Sequence, residues 1–179
     1  MTQRFRPLAR EALAPDQQSV YDAILAGPRG TVPAPFHIFL QSAPLADRVQ
    51  QLGGLLRYGT GLPPRLSELA ILVTAAHWRA EYEWSVHEAE ARKAGVPDAA
   101  IRAIAAGSQP ALEGDDALVY QFASTIYAKR DVPDELFAAA KTRFGDKVTV
   151  ELASILGYYS MLAIVLNVFR VKAAGSSSQ

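Results

Sequence analysis

Nineteen residues separate Glu68 from His87, and that interval constrains the fold more than any other feature. Both lie in the stretch Leu62 to Gly95, LPPRLSELAILVTAAHWRAEYEWSVHEAEARKAG, with both tryptophans and two of the three histidines. On a straight helix of 3.6 residues per turn, nineteen residues put the two side chains about a quarter turn apart and roughly 28 Å distant. They can meet only if the helix breaks and folds back. The pattern supports such a break. Pro63 and Pro64 suit a helical first turn, where backbone N–H groups lack partners. Leu66, Leu69, Ala70, Val73, Ala76 and His77 then keep the spacing of one buried face. The pattern changes around Trp78–Glu81, and Gly95 supplies a C-terminal stop after Lys93 and Ala94. The reading is two helices, 64–78 and 81–94, with a bend near Arg79. Ala80, Glu83 and His87, spaced by three and four, then share one helical face.

The order of residues Glu68…Tyr82-Glu83-Trp84…His87…Ala91…Ala94-Gly95 resembles the carboxymuconolactone decarboxylase family, which includes the AhpD-type alkylhydroperoxidases. The resemblance extends upstream through Pro35-Phe36, Ser42-Ala43-Pro44 and LPPRLSELAIL. Downstream it takes in Val150-Glu151-Leu152 and Gly157-Tyr158-Tyr159-Ser160-Met161. It covers most of the chain, from about Pro28 to Val171. It implies an AhpD-like helical bundle with a central helix pair, and a homo-oligomer, trimer or hexamer. In the peroxidase branch a CxxC pair opens the second helix, and a Glu and a His relay protons. Those cysteines align with Ala80 and Glu83, and the relay pair with Glu68 and His87. This chain has no cysteine. Thiol peroxidase chemistry requires a thiolate nucleophile and a resolving thiol, so that activity does not carry over. Acid–base equipment remains.

The rest of the chain reads as helices too. A helix is expected at 15–26 after an irregular arm (1–14), a short one at 36–41, and a longer one at 44–58. Others are expected from Pro97 to near Gly107, over 116–130, from Pro133 to Gly145, and over 148–171. Residues 173–179, AAGSSSQ, read as a disordered tail. No stretch sustains β alternation, so the fold class is all-α, with one domain over 15–172. Glu68-Leu69-Ala70-Ile71-Leu72 weakly repeats as Glu151-Leu152-Ala153-Ser154-Ile155, a register that sets Arg170 opposite His87. The last helix is the most apolar. Only the fifteen residues from Leu152 to Leu166 lack a strongly polar side chain, Ser154 and Ser160 apart. A bilayer needs ~20, so a buried central or interfacial helix is expected rather than a membrane span. Eighteen basic and eighteen acidic residues balance, which gives no electrostatic reason to expect nucleic acid. MTQRFRPLAREAL has no apolar leader pattern, and a cytoplasmic protein is expected.

Histidine, with an ordinary pKa of about 6.5, is the best general acid or base available. His87 is the expected proton donor, oriented by Glu68. Either residue also has a structural reading, as a core histidine and as a helix-start carboxylate. Glu83, in the first turn of its helix, is expected to be ionised by the helix dipole. It is a second acid–base group or a pocket wall. Tyr82 and Trp84 are candidate substrate contacts, though aromatics are more often core. His37 could line the pocket mouth. His77 reads as structural. An anionic substrate requires a cation, for which Arg57, Arg65 and Arg79 are near in sequence; Arg79 is a candidate substrate contact, and the sequence does not choose among the three. Glu83 and His87 are spaced as metal ligands could be, but no third ligand is assignable; no metal and no cofactor are expected. The resemblance implies a lyase that decarboxylates a small carboxylated lactone or related ring acid. The alternative is a peroxidase-fold protein without redox activity, acting as a binding or assembly module. A third reading keeps the site but makes the substrate neutral.

Overall fold

The protein is described by a computed structural model over residues 3–173. Eight α-helices follow a short 3-10 turn at Arg10–Ala12: α1 (Pro15–Ala26), α2 (Ala34–Phe39), α3 (Ala43–Tyr58), α4 (Pro64–Trp78), α5 (Glu81–Ala94), α6 (Asp98–Ala105), α7 (Gly114–Lys129) and α8 (Asp134–Phe169). No strand occurs among the described residues, and the all-α expectation is met.

α4 is the axis of the molecule. Every residue from Leu66 to Ala75 is buried, encased by α5, α7 and α8 with α6 alongside. The expectation of a single buried face was therefore too narrow. A helix apolar all round belongs inside, and its three buried polar residues have partners. Ser67 donates to the Leu62 carbonyl at 3.5 Å. Thr74 donates to the Ala70 carbonyl at 2.9 Å, and Glu68 finds a partner on α5.

α4 ends where the pattern predicts. Arg79 adopts the left-handed conformation (φ 50°, ψ 42°), and its N–H bonds back to the last turn. A non-glycine residue there costs roughly 1–2 kcal/mol. The Ala80 N–H bonds to the Ala75 carbonyl at 2.9 Å, and the Ala80 carbonyl accepts the first bond of α5 from Trp84 N–H at 2.9 Å. The reversal takes two residues and lays α5 along α4.

α8 differs from its two expected helices in one respect. Helical bonding runs from Asp134 to Phe169, with a kink at Gly145 (φ 80°, ψ 168°) in place of a loop. Glycine has no Cβ to oppose that φ. Leu152, Ile155, Leu156, Tyr159, Leu162 and Leu166 are buried. Its most apolar eighteen-residue stretch is only 44% buried, however, and Val150, Ile164 and Val168 are exposed. The fully encased helix is α4, not α8. By length and composition α8 could cross a bilayer; its inward face is instead part of this core. α2 begins two residues earlier than expected, since Pro33 caps it and Pro35 occupies its first turn. The arm is less irregular than expected. Besides the 3-10 turn, Arg4 N–H bonds to the Phe169 carbonyl at 3.0 Å, and the Phe5 ring meets Phe169 edge-on. Of the expected tail, residues 174–179 lie outside the described residues. The repeat is incomplete in chemistry: Glu151 accepts from Gly61 N–H at 2.9 Å, a structural use of its carboxylate.

Candidate active site

The α4–α5 reversal brings Glu68 and His87 into contact. His87 Nδ1 lies 2.7 Å from Glu68 Oε2, and both side chains are buried. The carboxylate holds Nδ1 and leaves Nε2 for whatever enters beside it. The His87 ring packs in a T-shaped contact against Tyr159 of α8, with centroids 5.0 Å apart and planes at 88°. Tyr159 in turn meets Tyr158 edge-to-face. The imidazole is thus held by a carboxylate on one side and an aromatic pair on another.

Next to it lies a small cavity of about 70 Å³. Tyr82, Glu83, Val86 and His87 of α5 form one wall, and Tyr158, Tyr159, Leu162 and Leu166 of α8 another. Arg57 of α3, Arg29 and Phe36 complete it. Tyr158 donates from its hydroxyl to the Val49 carbonyl at 3.1 Å. It fits only because position 53 is glycine. A Cβ there would fall 2.0 Å from Tyr158 Oη and 2.8 Å from an Arg29 guanidinium nitrogen. Tyr82 accepts from Ala34 N–H at 3.3 Å, tying α5 to the start of α2.

Glu83 departs from expectation. It is 3% exposed, and neither carboxyl oxygen has a hydrogen-bond partner. Desolvation pushes its pKa up to about 9. The helix dipole was expected to keep it ionised, but burial of an unpaired carboxylate outweighs a first-turn dipole of about 1 kcal/mol. A glutamate in this position could reach back to the capping N–H; here that N–H is already bound to Ala75. Glu83 is therefore a neutral carboxylic acid near pH 7, able to donate a hydrogen bond.

Three expected site residues lie elsewhere. Arg79 and Trp84 line an open cleft of about 1070 Å³ on the other side of α5, with His77, Ala80, Glu81 and Tyr127. Helical periodicity explains Trp84, since a residue next to Glu83 points about 100° away from it. Arg79 is turned outward by the left-handed stop. His37 packs against Tyr21, centroids 6.0 Å apart, and does not line the cavity. Of the other candidate cations, Arg65 is paired with Asp116 at 2.6 Å, whereas Arg57 lines the cavity. Arg29, Tyr158 and Tyr159 were not identified as site residues from the sequence. The Gly157-Tyr158-Tyr159 motif was the available signal for the tyrosines; Arg29, in a glycine- and proline-rich loop, offered none. The cleft is far larger, but no imidazole–carboxylate hydrogen bond faces it among the described residues. Only the small cavity, among the two, has such a pair at its wall. No group of three potential metal ligands occurs among the described residues.

The carboxymuconolactone decarboxylase family profile matches residues 43–123, which span α3 to most of α7. No functionally curated sequence matches the chain. Among solved structures, the debrominase Bmp8 in complex with 2,3,4-tribromopyrrole superposes with a TM-score of 0.73 at 17% identity, covering 98% of this chain and 94% of that one. An uncharacterized peroxidase-related protein from Silicibacter sp. TM1040 superposes with a TM-score of 0.76 at 13% identity, covering 94% and 90%. At such identities the likeness concerns the fold alone. The chain thus resembles the carboxymuconolactone decarboxylase family over residues 43–123, and its fold is an AhpD-like, all-α helical bundle without cysteine.

Proposed function

We propose that the protein is a cofactor-independent, cytoplasmic acid–base enzyme that decarboxylates a small carboxylated lactone or related ring acid. The observation that carries this reading is the buried 2.7 Å Glu68–His87 contact beside a cavity lined by two arginines. In the reaction the C–C bond to the carboxylate breaks. CO₂ leaves, and the electron pair passes into the conjugated carbonyl as a dienolate. His87 returns a proton to carbon and is reprotonated from solvent; Glu68 stabilises the charged imidazolium. The cavity is smaller than the ~150 Å³ that admits benzene. The carboxylate end would occupy it, and the ring would sit at the mouth near Pro33 and Pro35.

The test is CO₂ release from a panel of lactone acids and β-keto acids, with His87→Gln in parallel. Turnover by the parent that His87→Gln abolishes or severely reduces is the expected result. Equal turnover by both proteins would return His87 to the role of a core residue. The assembly-module alternative has its own support in exposed apolar side chains: Leu45, Leu52, Leu55 and Tyr58 on α3, and Val150, Ile164 and Val168 on α8. A homo-oligomer, trimer or hexamer, would cover them, and light scattering at micromolar concentration should give several chains. A monomer inactive on every substrate of the panel would sink both readings.

A further inference from the structure

Glu83 has no evident structural task. A buried carboxyl with two unpartnered oxygens is costly, and a leucine or methionine would fill much the same space without that cost. Its surroundings supply an explanation. Arg29 and Arg57 both line the same cavity and are half-buried, yet neither lies within 4 Å of a carboxylate among the described residues. Arg29 makes a long bond to the Gln50 carbonyl and lies over the Phe36 ring; Arg57 lies over Tyr58. Neither guanidinium is neutralised by a direct ion pair, although Arg29 also hydrogen-bonds Tyr158 and Arg57 lies within electrostatic reach of Glu90. Glu68 and, at longer range, Glu90 offset part of the arginine charge, and the two guanidinium groups are the cations that line the cavity itself. Gly53 is the cradle that lets the Arg29 guanidinium and Tyr158 both reach it.

We propose that this cavity takes the carboxylate head of a small monoanion, held by Arg29 and Arg57 and capped by a hydrogen bond from Glu83 in its protonated form. This rests on the acid–base reading of the same site and names what fills it. About 70 Å³ suits a carboxylate with a carbon or two and leaves no room for a ring. A neutral acid beside a carboxylate donates a short, charge-assisted bond. An ionised Glu83 would repel the same ligand. The cavity thereby selects monoanions and rejects them at alkaline pH. The other groups facing Glu83 support this assignment. Tyr158 and Tyr159 have pKa values raised by burial, that of Tyr158 to about 12, so they stay neutral where Glu83 titrates. Tyr127, within electrostatic reach of Glu83, is also raised by burial. Tyr82 and His87 are the other titratable groups lining the cavity, and Glu90 lies within electrostatic reach of Arg57 and His87.

Calorimetric titration with acetate, against the uncharged isostere acetamide, tests the proposal without any substrate. The intact protein should bind acetate and ignore acetamide. Arg57→Gln and Arg29→Gln should each weaken acetate by roughly tenfold or more, the size of a lost charged hydrogen bond. Acetate affinity in the parent should fall in a step near pH 9, set by Glu83. Glu83→Gln keeps a donor and should bind acetate at neutral pH without that alkaline step. Equal binding of acetate and acetamide, no acetate binding, or an alkaline step retained in a folded Glu83→Gln variant would each overturn the proposal. Acetate binding with no turnover on any substrate would leave it standing and remove the decarboxylase reading. Turnover without acetate binding would do the reverse.

Discussion

The two faces of α5 carry similar residue types and do different things. On one face His87 has a buried carboxylate 2.7 Å away, Tyr159 in T-shaped contact with its ring and a small cavity beside it. On the other, His77 at the end of α4 stacks flat on Tyr127, centroids 4.3 Å apart, at the wall of an open cleft. Partial burial lowers the His77 pKa, and no carboxylate offsets it. Tyr127 spends its hydroxyl on Thr74, Leu156 and Ser160, and Trp78 donates to Ser160 at 3.0 Å. That side is a hydrogen-bonded seam joining α4, α7 and α8. A histidine becomes useful for proton transfer when a carboxylate fixes one nitrogen and a confined space faces the other. The size of the neighbouring cleft does not supply either condition.

The widest separation between the faces should come from histidine substitution. On an active substrate, His87→Gln should lower turnover by roughly 10²–10⁴, the usual weight of a general acid–base group. Glu68→Gln should cost less, because the imidazole remains. His87→Gln activity within twofold of the parent would erase the distinction.

Glu83 sharpens it through pH. Its folded pKa of about 9 lies above its ordinary 4.5. Below about pH 4.5 both folded and unfolded chains hold the proton, and nothing is lost. Between about 4.5 and 9 only the folded state holds it, so Glu83 makes stability fall as pH rises. Glu83→Gln removes that slope. Its melting temperature should exceed the parent's by several degrees at pH 8.5, at roughly 2–4 °C per kcal/mol, and the gap should narrow at pH 5.5. A constant gap, or none, would mean that Glu83 is ionised and paired.

Packing around the cavity can be probed at two adjacent glycines. Gly53→Ala would drive a methyl into Tyr158 and Arg29 and should destabilise by about 1–3 kcal/mol, as overpacking does. Gly54 has nothing within 4 Å, so Gly54→Ala should stabilise α3 by about 0.5–1 kcal/mol. Chemical denaturation of both variants checks the opposite signs. The smallest effect belongs to the cleft: His77→Gln should leave turnover within about twofold, far below an acid–base contribution. A tenfold loss would place chemistry on that side as well.

The sequence by itself determined the helices, the reversal at Arg79 and the Glu68–His87 meeting. Those depend on local chemistry: proline at helix starts, a change of apolar period, and an interval that no straight helix could close. The family likeness was legible because it resides in that same contiguous stretch. Tertiary structure decided the rest. Which arginine faces the cavity depends on how α3 and the loop before α2 lie on α8, and three sequence candidates gave way to Arg57 and an unforeseen Arg29. Trp84, His37 and Arg79 went elsewhere because adjacent residues on a helix point apart, and because the left-handed stop turned Arg79 outward. The charge state of Glu83 was decided by the same packing. A first-turn glutamate is ionised by local rules, but encasement between α5 and α8 removes the water that would keep it so.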